Sequence, residues 1–165
     1  MEDRTQFLRH TLATLAYRLE KALRDVPPGF GEHRCGDGTR TPLEILGHIG
    51  DLLEWGERLA AGEYRWEARA AQGWHAERER VFTALARFDE RLQAGPPGHP
   101  IEQIFQGPIA DALTHVGQLA LLRRLAGAPI RPESYARASI SAGQVGPEQP
   151  SERVEFQGDA SARSG

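Results

Sequence analysis

Four stretches of this chain repeat apolar side chains at three- and four-residue intervals, and clusters of Pro and Gly break the pattern between them. That interval is the period of a helix, whose residues advance by about 100° each. No stretch alternates apolar and polar residues as a half-buried strand would. Phe7, Leu8, Leu12, Leu15, Leu19, Leu23 and Val26 form the first stripe, which stops at Pro27-Pro28-Gly29. Residues 30–40 hold Gly31, Gly36 and Gly38 without a period and read as a loop. The second helix starts at Thr41-Pro42: Thr41 can cap, Pro42 suits the first helical position, and Glu44 completes a capping box. Its stripe is Ile45, Ile49, Leu52, Leu53 and Leu59, ending near Gly62.

A connector over 63–70 carries Tyr64 and Trp66, and a third stripe follows in Trp74, Val81, Leu85, Phe88 and Leu92. Gly95-Pro96-Pro97-Gly98 ends it. Residues 101–106 read as a short helical lead-in and Gly107-Pro108 as the start of the fourth helix. That helix closes with Arg123, Arg124, Gly127 and Pro129. The pattern predicts an all-α chain, a four-helix bundle over 1–130. With consecutive helices antiparallel, the second and fourth run in the same direction. An extension over 131–165 is expected to be largely irregular, with a helical turn or two in 131–140. Beyond it lies a mobile or surface-draped tail rich in Gly, Ser, Gln, Glu and Pro.

The 165 residues suffice for one domain with a hydrophobic core, and 39% hydrophobic with 26% charged residues is an ordinary globular composition. A formal charge of -3 and a pI of about 6.1 give no overall positive field, so nucleic acid is not an expected partner. The lone cysteine, Cys35, excludes an intrachain disulfide. The first residues lack an apolar core with a cleavage site, and no apolar run reaches the about 18 residues of a membrane span. A cytoplasmic location away from membranes is the expectation.

Polar residues on the inward faces carry the functional signal. Asp111, His115, Gln118, Leu122 and Leu125 recur at helical spacing on the fourth helix, and His48 lies on the second. Two imidazoles and a carboxylate can hold a divalent transition metal and leave positions open for chemistry. If the two helices are parallel, His48, Asp111 and His115 lie roughly 9, 5 and 11 Å below the same bundle end. Asp51 and Gln118 are placed to orient an imidazole, and Trp55, Gln118 and Glu77 to line a pocket. Each residue alone has a plainer reading: His48 a boundary histidine, Asp111 a partner of the helix dipole, His115 a hydrogen-bonded core residue, Glu77 a charged rim residue. Together the Asp-x-x-x-His pair is harder to explain that way, since burying an unpartnered Asp costs several kcal/mol. His10, His33, His75 and His99 fall off the stripes or in loops.

The segment T-H-V-G-Q-L-A-L-L-R-R-L-A-G-A-P resembles the final-helix motif of the DinB-like (YfiT-like) superfamily, usually H-x-x-x-H-R-G-Q followed by leucines and L-R-x-x-G. T-P-L-E-I-L-G-H-I-G-D-L is similar to that superfamily's second-helix motif, whose His is the first metal ligand. The resemblance spans roughly 1–130. It implies a four-helix bundle with one divalent metal near one end, with His48 and His115 in the first and last ligand positions. Asp111 stands where His is usual, though the related mycothiol-dependent maleylpyruvate isomerases place a Glu between two His. Val116 replaces the Arg of H-R-G-Q. The implied cofactor is zinc, nickel or iron. The implied activity is a transferase or isomerase reaction using a low-molecular-weight bacterial thiol as the small-molecule partner. A non-catalytic metal-binding stress or interaction protein is the alternative, and a homodimer stays open.

Overall fold

The computed structural model describes residues 2–156. Its long helices are α1 (Glu2–Leu23), α2 (Pro42–Ala61), α3 (Trp74–Gln93) and α5 (Ala110–Leu125). A short α4 (Ile101–Ile104) and a π turn (Phe105–Ile109) lead into α5 without a break. Among the described residues there is no strand, only an antiparallel bridge between Glu133 and Glu155. None of these helices is long and apolar enough to cross a membrane.

Local signals set the helix ends. The Thr41 hydroxyl accepts the Glu44 amide, and the Glu44 carboxylate accepts the Thr41 amide at 2.6 Å, so two otherwise unpaired N–H groups are satisfied. Gly62 ends α2 at a φ of 91°, where a side chain would be strained. At the end of α1 the buried Arg123 guanidinium donates to the carbonyls of Ala22, Arg24 and Asp25. The helical run does not begin at Pro108 as expected. It begins at Ile101 and passes through Pro108, whose missing N–H the wider π turn accommodates.

The apolar stripes of α1, α2 and α3 meet in one core, with Leu12, Leu15, Leu53, Leu85 and Phe88 fully enclosed. On α5 the expected stripe needs correcting. The buried face is Ala112, His115, Val116, Leu119 and Leu122, while Gln118 is exposed and Leu125 is 58% exposed. Asp111, Gln118 and Leu125 thus form the edge of that face, so the polar group sits in the α2–α5 groove and not at the centre of the core.

Helix directions follow from which residues meet. Gly50 lies against Arg80 and Gly56 against Phe88, so α2 and α3 run parallel. Arg9 near the start of α1 binds Asp89 near the end of α3 at 2.8 and 2.9 Å, so those two are antiparallel. Arg4 pairs with Glu102 at one end and Arg123 with Ala22 at the other, so α1 runs with α4 and α5. Trp55 stacks on Gly107 while His48 faces His115, so α2 and α5 are antiparallel. The expected parallel pairing of these two helices is overturned. Its cause is the connector after α2, which crosses back along that helix. Its Arg65 carbonyl accepts from Arg58 at 3.0 Å, and its Arg69 amide donates to Asp51 at 3.2 Å. The chain therefore reads up, down, down, up, with α1 against α3 and α5 and α2 against the same two.

The extension after α5 contributes a 3-10 turn, Tyr135–Arg137, and a buried ionic cluster against α1. Glu133 accepts from Lys21 at 2.5 Å and from the Tyr17 hydroxyl; Glu155 lies 3.1 Å from Lys21. Arg153 binds Glu20 and lies 4.4 Å from the centre of the Tyr17 ring. Of the tail expected to be mobile or draped over the surface, Arg153 and Glu155 pack on α1; residues 157–165 lie outside the described residues.

Candidate metal centre

His48 sits on the second turn of α2, and Asp111 and His115 on the first turns of α5. The Asp111 carboxylate lies between the imidazoles, 3.8 Å from His48 Nε2 and 3.5 Å from His115 Nε2. The two rings meet edge to face with centroids 4.8 Å apart, and one donor atom from each of the three residues lies within 4.8 Å of the others. Bonds of about 2.1 Å place neighbouring donors about 3.4 Å apart in a tetrahedral sphere, close to these spacings.

Convergence survives the reversed helix direction because two differences cancel. Measured from the end where α2 finishes and α4 begins, His48 lies about 20 Å along α2. Counting from Ile101, Asp111 and His115 lie about 15 and 21 Å along their run. The seven extra residues before Pro108 restore the match that antiparallel packing would otherwise spoil.

Each imidazole is prepared for ligation. His115 Nδ1 donates to Gln118 Oε1 at 2.7 Å, which leaves its Nε2 lone pair directed at Asp111. Burial lowers the His48 pKa, and nearby His115 and Arg40 lower it further against the opposing pull of Asp111 and Asp51. His48 is thus held neutral near neutral pH, the state a metal requires. About half of the Asp111 side chain (48%) remains exposed.

Asp51 does not turn to His48. It is buried and bound to Arg80 at 3.0 Å and to the Arg69 amide. Glu77, read as a pocket or rim residue, is 2% exposed and bound to Arg80 at 2.8 Å. Arg80 also reaches Glu54 at 3.3 Å and the Gly47 carbonyl at 2.6 Å, so one guanidinium ties α2 to α3 directly behind His48. Trp55 and Asp111 share a hollow of about 350 Å³ with Gly107 and Thr114. A second cavity, about 650 Å³, has His48 and Asp51 in its wall.

Sequence reasoning gave Trp66 and Arg80 no place at the site. Trp66 reaches back from the connector with its ring 5.8 Å from His48 and 5.6 Å from Trp55. Its signal was a large aromatic residue in a segment with no helical period. For Arg80 the signal was a charge one turn from the inward-facing Glu77. No family model matches this chain, and neither the characterised proteins nor the solved structures contain a match.

Proposed function

We propose that this protein is a metal-dependent enzyme built as a DinB-like four-helix bundle. It holds one divalent transition metal (zinc, nickel or iron) on His48, Asp111 and His115, and runs a transferase or isomerase reaction on a low-molecular-weight thiol. The observation that carries this reading is the pair of Nε2 atoms converging on one carboxylate while Gln118 fixes the His115 tautomer. The two sequence motifs and the all-helical order support the family.

A metal on these three ligands supplies a Lewis acid that lowers the pKa of a thiol brought against it. The chain's own residues do the rest. Gln118 keeps His115 oriented, and the Trp66 ring packs edge to face on His48, with Trp55 behind it. Asp111 provides the one anionic ligand, so the donor set stays cationic overall with a divalent ion and favours a thiolate over a thiol. A non-catalytic metal-binding protein needs the same ligands but not the cavity beside His48, and that cavity favours the enzyme.

The test is metal analysis of protein purified without a nickel column, followed by zinc and nickel titrations. Asp111→Ala should abolish stoichiometric binding, Gln118→Ala should weaken it about 10–100-fold, and Asp51→Asn should leave it near wild type. Wild-type affinity in Asp111→Ala would refute the ligand set. A cobalt-substituted spectrum unchanged by every thiol tried would turn the reading to a structural metal.

A further inference from the structure

We propose that the cavity beside His48 recognises the anionic end of a small ligand through Arg40, assisted by Arg34. The proposal rests on the reading above, since it places the ligand's reacting end toward His48. The cavity of about 650 Å³ lies between the loop before α2, the first turns of α2 and the connector, and its volume suits a small organic molecule. Arg34, Arg40 and Arg69 line it, as do Glu32, Glu44 and Asp51.

The formal balance is even, but the available groups are not. Asp51 is bound on both oxygens, by Arg80 and by the Arg69 amide. Glu44 is engaged in the cap of α2. Arg69 is paired with Glu54 at 3.1 Å. Arg34 donates to the Thr39 carbonyl and meets Glu44 only at 3.6 Å. Arg40 makes no hydrogen bond or ion pair among the described residues, which leaves its planar fork of donors free for a carboxylate, phosphate or sulfonate. Exposed Glu32 is the one carboxylate without a partner there, so the free groups are one whole guanidinium and part of another against one carboxylate.

Gly47 lets the connector pack close on α2 and form the cavity wall, because a Cβ there would come within 3.0 Å of the Ala71 Cβ. Of the candidate metal group, His48 is the member in this cavity's wall, so a ligand held at Arg40 would approach the group from the His48 side.

The test compares three thiols of similar length on cobalt-loaded wild type and Arg40→Gln: 3-mercaptopropionate, 2-mercaptoethanol and cysteamine. The expected result is about tenfold tighter binding of the anionic thiol than of the neutral one in wild type. That preference should fall to within about twofold in Arg40→Gln and be partly lost in Arg34→Gln. Equal affinities for the three thiols in wild type would overturn the anion site and leave the metal reading intact. If no thiol binds the metal-loaded protein, the thiol reading fails and a second arm decides the anion site. There succinate is titrated into metal-free protein and the arginine Nε–H resonances are followed. A saturable shift at Arg40 supports the site, and its absence refutes it. Arg40 is exposed and unbonded, so an unchanged melting temperature in Arg40→Gln serves as the folding control.

Discussion

Replacing Arg80 with leucine should expose how strongly the wall behind His48 depends on one cation. Its guanidinium donates to Glu77, Asp51, Glu54 and the Gly47 carbonyl at 2.8, 3.0, 3.3 and 2.6 Å. The three carboxylates are 2%, 4% and 9% exposed at the side chain. Removing their shared partner leaves buried negative charge, which costs about 3–5 kcal/mol when a buried pair is broken. At about 2–4 °C per kcal/mol for a chain of this size, the melting temperature should fall by roughly 6–20 °C. The pH dependence supplies the discriminating measurement. Without Arg80, burial and mutual repulsion raise the folded-state carboxylate pKa values above the unfolded range of about 4. Groups raised in this way keep their stability below the unfolded pKa and lose it as pH rises through the folded one. The deficit of Arg80→Leu relative to wild type should therefore be large at pH 7.5 and shrink toward pH 4.5. Urea denaturation of both proteins at the two pH values measures it. A deficit below about 1 kcal/mol at pH 7.5, or one independent of pH, would refute the reasoning.

Two further perturbations test the packing. Gly56→Ala places a Cβ 2.4 Å from the Phe88 ring, which is fully buried, so it should destabilise the protein by about 1–3 kcal/mol in a urea melt. At Glu133, burial pushes the carboxyl pKa up, but the bonds from Lys21 and Tyr17 outweigh it and hold the value below the usual range. Its stabilisation is present above the unfolded pKa of about 4.3 and is lost as pH falls through the folded value. Glu133→Gln should therefore cost about 3 kcal/mol at pH 7, tempered by the Glu155 carboxylate that remains near Lys21, and flatten the acid limb of the stability curve.

The helix ends and apolar stripes were legible because they are local. Thr41 and Glu44 form the capping box that their spacing announces, and Ile45, Ile49, Leu52 and Leu53 are buried as their period requires. The three members of the candidate metal group were legible as residues, since Asp and His four apart on a helix share a side. Helix direction was not legible. The segment 63–73 has no period, and nothing local distinguishes a hairpin from a crossover; only contacts such as Arg69 with Asp51 settle it. Nor does a Pro in a helical pattern announce a π turn, because Pro108 suits a first helical turn equally well. The ionic clusters were hidden for a different reason. Lys21, Arg80 and Glu133 read as solvated charges until partners distant in sequence are brought beside them.

The order of the helices has a consequence for synthesis. Helix α1 leaves the ribosome first, yet the helices that cover it are α3 and α5, and its buried Lys21 and Glu20 pair with Glu133 and Arg153. At about 5–20 residues per second, the 130 residues from Leu23 to Arg153 take roughly 7–26 s to follow. Its first partner, α3, ends 70 residues after Leu23, so for roughly 4–14 s the stripe from Leu8 to Leu23 has no partner helix to shelter it. Contacts this remote raise the sequence separation of contacting residues, which slows folding. Of the long helices, α1 is finished well before either helix that covers it.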